Sequence, residues 1–103
     1  MKINLVNENF NMKNMTTYYS KGELLRSQMK ELVLSYMKDT PNCASISEGM
    51  NTAQLFRSCG FDWGAQENAT SSNQQYYMVA LLRKLEAEGE IQRDPISKKW
   101  RLK

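Results

Sequence analysis

The segment from Ser71 to the C-terminus constrains this chain most. Ser71 and Ser72, followed at the matching offsets by Gln74 and Gln75, form two overlapping capping boxes, in which side chains satisfy the orphan N–H groups of a helix start. Met78, Leu81, Leu82 and Leu85 then recur at helical spacing, and Gly89 supplies the residue that closes a helix. The pattern predicts a helix running to about Glu88, the longest in the chain. Directly after it, Asp94-Pro95 favours a type I turn, while Trp100 and Leu102 alternate with Lys99, Arg101 and Lys103 as in a half-buried strand. A helix with one apolar stripe and a hairpin with one apolar face both need covering by further elements. The fold class expected is mainly α with a small β-hairpin.

Upstream, Ser20-Lys21-Gly22-Glu23 has the form of a capping box and predicts the start of a first core helix. Leu24, Leu25, Met29, Leu32, Val33, Tyr36 and Met37 form its expected buried stripe. It should end near Asp39, because Pro41 biases Thr40 away from helical dihedrals. Asn51, with Gln54 three residues on, caps a short second helix carrying Thr52, Leu55, Phe56 and Cys59, closed by Gly60. The stretch from Phe61 to Thr70 reads as a loop, with Trp63 expected to cover the edge of the core. Residues 1–19 are rich in Asn, Met and Thr and lack a sustained helical period, so they are expected to form a flexible arm, with Ile3, Leu5 and Val6 as a short strand or a docking segment. The domain itself should span 20–103, and no coiled-coil heptad is read in it.

With 103 residues and 41% hydrophobic side chains, the chain suits one core. No apolar run reaches the roughly 18–20 residues of a membrane span, and the start of the chain is interrupted by polar residues too early for a signal peptide. A cytoplasmic protein without a membrane partner is expected. There is no histidine and only Cys43 and Cys59, so no Cys/His zinc set assembles and no histidine can activate a thiol. The two thiols are read as small buried hydrophobes, with a disulfide or redox role as the alternative, and neither an enzyme nor a cofactor is expected. The net charge of +3 is informative through its placement: residues 91–103 hold Arg93, Lys98, Lys99, Arg101 and Lys103 against Asp94 alone.

The order of elements, together with Leu85-Glu86-Ala87-Glu88-Gly89-Glu90-Ile91 and the closing Trp100-Arg101-Leu102, resembles the winged helix-turn-helix superfamily over residues 20–103. A narrower likeness, carried by Tyr76-Tyr77, Leu81-Leu82, Leu85-Glu86, Glu88-Gly89 and Gln92-Arg93 with Pro95, is to small regulators of fimbrial operons. The resemblance implies a sequence-specific double-stranded DNA-binding protein that regulates transcription, with its third helix in the major groove and its wing on the backbone. On that reading Asn73, Gln74, Tyr76, Tyr77 and Arg83 face base edges, Ser71 and Ser72 meet phosphate, and Arg93, Lys98, Lys99 and Arg101 neutralise the backbone. One departure stands out: the link from Gly60 to Ser71 is longer than the three or four residues of a compact helix-turn-helix. The alternative is a protein-interaction module of the same fold, engaging a partner through the N-terminal arm or the Phe61–Thr70 loop and inhibiting or recruiting a nucleic-acid enzyme. A homodimer is compatible with the DNA-binding reading, because two half-sites raise specificity.

Overall fold

The computed structural model describes the backbone of residues 10–103 and the side chains from Thr17 onward. Its elements are α1 (Phe10–Asp39), a single 3-10 turn at Pro41–Cys43, α2 (Thr52–Ser58), α3 (Ser71–Gln74), α4 (Tyr76–Ala87), β1 (Ile91–Arg93) and β2 (Trp100–Leu102). The chain is mainly helical with a small antiparallel sheet, as its patterning predicts.

The first helix departs from expectation at its start. α1 begins at Phe10, so Ser20 lies inside the helix and its capping box does not form. The reason lies in the sequence: residues 10–21 contain neither Gly nor Pro, and nothing stops a nucleated helix from extending through them. Residues 10–19 are therefore helical, while Ile3, Leu5 and Val6 lie outside the described residues. The stripe is also only half right. Val33 and Met37 are fully buried, with Met29, Leu34 and Tyr36 packed against the core, but Leu24, Leu25 and Leu32 are 58%, 59% and 48% exposed. A helix of 30 residues is about 45 Å long and outruns the rest of so small a domain. The molecule measures 54 × 36 × 22 Å accordingly.

At the far end of α1 the Thr40 hydroxyl donates to the Tyr36 carbonyl over 2.6 Å, and Pro41 opens the 3-10 turn. Gly49 follows at φ +91°, where a Cβ would lie 2.5 Å from the Trp100 carbonyl oxygen. Only glycine lets the chain pass this close to β2. The approach is used at once, because Met50 and Trp100 exchange backbone hydrogen bonds of 2.9 and 2.8 Å as an antiparallel bridge. α2 then starts with the expected reciprocal cap: the Asn51 side chain accepts from the Gln54 N–H, and the Gln54 side chain accepts from the Asn51 N–H.

The third helix comes in two pieces, and its cap is Thr70, whose hydroxyl accepts from the Asn73 N–H, rather than Ser71 or Ser72. Gln75 at the joint keeps right-handed helical dihedrals, φ −68° and ψ −13°, so α3 and α4 are separated by a local loosening and not a turn. α1, not this helix, is the longest element. The predicted stripe of Met78, Leu81, Leu82 and Leu85 is buried throughout. β1 pairs with β2 in the register Ile91–Leu102, Gln92–Arg101 and Arg93–Trp100, and Met50 sits on the free edge of β2. Trp100, Ile91, Leu55, Leu82, Leu85, Val33, Met37 and Cys43 meet in one core beneath the helices. No described helix is long and apolar enough to cross a membrane.

Candidate functional site

The hairpin turn is built on Asp94. Its Oδ1 accepts from the Ile96 and Ser97 N–H groups, each over 2.8 Å, and Asp94 and Lys98–Lys99 close the turn through backbone bonds. Those two N–H donors, with a further contribution from the Arg101 guanidinium, hold the Asp94 carboxyl below the usual aspartate range. The turn places Lys98 at φ +66°, a left-handed conformation that L side chains adopt at a cost. Its ammonium projects into solvent with no acidic partner among the described residues.

Three other wing cations, Arg101, Lys99 and Arg93, are engaged within the protein. Arg101 pairs with Asp94 at 3.4 Å, Lys99 with Glu48 at 3.4 Å, and the Arg93 Nε donates to the Lys98 carbonyl over 3.2 Å. The Arg101 Nε is buried without a hydrogen-bond partner. Arg93 and Arg83 lie 5.2 and 5.3 Å from the centroid of the Trp100 ring, within range of a cation–π attraction. The indole N–H of Trp100 donates to the Thr52 hydroxyl over 3.0 Å. One buried tryptophan thus ties β2 to α2, to the hairpin's other strand and to α4. Around it α4 and the hairpin bring two cations to one junction, tempered by Glu86, which pairs with Arg83 at 2.9 Å.

The loop before α3 is organised by two polar side chains. Asp62 accepts from the Gly64 N–H and, at 2.9 and 3.1 Å, from the Ser71 hydroxyl. The Gln74 amide donates to the Gly64 and Ala69 carbonyls, each over 2.9 Å, and accepts from the Trp63 N–H over 2.9 Å. Ser71 and Gln74 are therefore anchors of the loop, and their polar groups are directed inward. Ser72 and Asn73 remain exposed beside them. The same anchoring leaves the Trp63 ring 82% exposed, so it does not cover the core edge as expected.

On α4 the outer face expected from a 100° step per residue stays uncovered: Tyr76 is 76% and Tyr77 46% exposed, with Ala80, Arg83 and Ala87 beyond them. Next to this face runs a groove of about 460 Å³ between α4 and α1, lined by Tyr77, Ala80, Leu81 and Lys84 on one side and Glu23, Arg26, Ser27 and Lys30 on the other. Arg26 sits 3.9 Å from Glu23, and Lys30 pairs with Glu88 at 2.7 Å. Lys84 has no acidic partner among the described residues. The candidate residues read from the sequence include neither Lys84 nor, on α1, Arg26 or Lys30. The signal was present in the i, i+4 spacing of the latter two, which sets them on one side of α1.

Cys43 is buried and Cys59 half-buried, and both are free thiols. Burial pushes both thiols above their ordinary range, and Cys43 adds to the rise at Cys59. They belong to the core and its margin, as expected of small hydrophobes. Among the described residues no group of three His, Cys, Asp or Glu is placed to hold a metal ion. No protein-family model matches the chain, and no curated protein or solved structure is significantly similar to it.

Proposed function

We propose that this chain is a sequence-specific double-stranded DNA-binding protein, a transcriptional regulator built on a winged helix-turn-helix, with α2 and α3–α4 as the helical pair and the β1–β2 hairpin as the wing. The carrying observation is the uncovered outer face of α4, where Tyr76 and Tyr77 stand exposed and Tyr77 shares a groove with Lys84, on the same helix that Trp100 fastens to the hairpin. The bridge between Met50 and β2 supports the same reading, since it lays the segment between α1 and α2 along the free edge of the hairpin's second strand. Asn73, Tyr76 and Tyr77 are the proposed base-facing residues, with Ser72, Lys84 and Lys98 on phosphates. Gln74 and Ser71 hold the preceding loop in place. Arg83, Arg93, Lys99 and Arg101 contribute positive potential from fixed positions. A binding role rather than catalysis suits a chain with no histidine and no evident base–nucleophile pair.

The test is selection of bound fragments from random duplex DNA, followed by mobility shifts across a salt series. A recovered motif, bound with steeply salt-dependent affinity, is the expected result. Failure to bind any duplex at low salt would overturn the proposal.

One observation favours a second reading as a protein-interaction module. Trp63 is presented in the open on a loop that Asp62 and Gln74 hold in shape, and preorganised exposed aromatics are typical anchors of protein interfaces. Stoichiometric capture of a protein partner, lost in Trp63→Ala, from a chain that binds no DNA would select it.

A further inference from the structure

α1 carries a heptad-like pattern after all, most of it within residues 20–103 and extended backwards by the start of the helix at Phe10. Tyr18, Gly22, Leu25, Met29, Leu32 and Tyr36 follow one another at alternating steps of four and three, and in sequence Met15 extends the series backwards. This is the 3.5-residue repeat of a coiled-coil seam. Tyr18, Leu25 and Leu32 along it are 70%, 59% and 48% exposed, while Met29 and Tyr36 lead it into the core edge. With neighbouring Tyr19, also largely exposed, the apolar face is on the order of several hundred Å², the size at which a patch on a soluble protein marks an interaction site.

We propose that this seam is a homodimer interface in which two α1 helices pack antiparallel, with Gly22 of one protomer against Leu25 of its partner. Two features of the sequence select that arrangement. In a parallel, in-register pair, Lys21 of one helix flanks Arg26 of the other, glycine faces glycine, and Tyr18 faces Tyr18. In the antiparallel pair set by Gly22 against Leu25, Tyr18 faces Met29, so each large residue meets a smaller or more adaptable one. The flanks then oppose Lys21 to Gln28 and Arg26 to Tyr19. No like charges meet, and the Arg26–Tyr19 pairing suits a cation–π contact. The occupant is a second copy of this chain because the seam, read in reverse, complements itself.

The inference is independent of DNA binding, and its test contains no DNA. Sedimentation equilibrium of the full chain should give twice the chain mass, dissociating on dilution. Leu25→Asp should weaken association at least about 100-fold, since it buries a carboxylate in the seam of each protomer. Leu24→Asp, off the seam, should change it less than about threefold on the same scale. Leu25 is exposed in the protomer, so helix content by circular dichroism should be the same in both variants. Orientation is read by oxidative cross-linking in a Cys59→Ala background, Cys43 being fully buried. Tyr18→Cys and Met29→Cys proteins should cross-link when mixed and neither alone, because identical positions lie about 16 Å apart along the axis in the antiparallel pair. A monomer at every concentration, a dimer indifferent to Leu25→Asp, or self-cross-linking of Tyr18→Cys would each overturn the proposal, the first leaving the face to another protein or to residues 1–9.

Discussion

Lys98 and Asp94 show how one tight turn sets both stability and surface charge. Lys98 holds a left-handed backbone, φ +66°, that glycine adopts freely, so Lys98→Gly should stabilise the protein by about 0.5–1 kcal/mol. It should also lower the salt slope of DNA binding by about one, because one phosphate-facing cation of the hairpin is gone. Urea denaturation and a salt titration on the same variant separate the two effects. Asp94 couples the same turn to pH. Its carboxyl is held below the usual range by the Ser97 and Ile96 N–H groups and by Arg101, so the stabilisation is present above the ordinary aspartate value and is lost as pH falls through it toward the folded value. Melting temperature should therefore fall below about pH 4, and Asp94→Asn should flatten that part of the profile.

Among the elements, the hairpin depends on Trp100 more than on its own short strands. The side chain is 1% exposed, donates to Thr52 and lies under Arg83 and Arg93. Trp100→Ala should cost about 3–5 kcal/mol in chemical denaturation. Trp100→Phe should recover part of that and leave the Thr52 hydroxyl without its donor. The second helix and the hairpin were plain in the sequence, through the Asn51–Gln54 cap and the alternation of Trp100 and Leu102 with charged residues. The first helix was misjudged at its start, since a good local cap at Ser20 says nothing about whether the chain before it is already helical. The third was given the wrong cap for a related reason: Ser71 had a better partner in Asp62, nine residues away.

At the scale of the whole molecule, net charge is a poor guide to what a ligand meets. The chain carries +3, but Arg101, Lys99, Lys30, Arg83 and Arg26 each have an acidic neighbour. Lys84 and Lys98 have none among the described residues, nor have Lys21, Lys38, Arg57, Arg93 and Lys103; Lys84 and Lys98 are the two that the proposed function assigns to phosphate. Replacing both by alanine should reduce the slope of log affinity against log salt by about two, whereas Arg101→Ala should act mainly through hairpin stability. Mobility shifts at four or more salt concentrations, beside a denaturation curve for each variant, distinguish the two.

Local rules in the sequence were enough to establish a mainly helical chain with a basic terminal hairpin, because apolar periodicity, caps and turn residues act over a few positions. The buried stripe of α4 and the outward placing of Tyr76 follow from the same 100° step. Which polar groups remain free for a ligand was decided only in three dimensions. Gln74 and Ser71 turn inward to the loop, four of the five predicted basic residues are engaged by partners distant or across a turn, and Leu25 and Leu32 are left bare. Each outcome depends on what another part of the chain brings alongside, and periodicity carries no record of that.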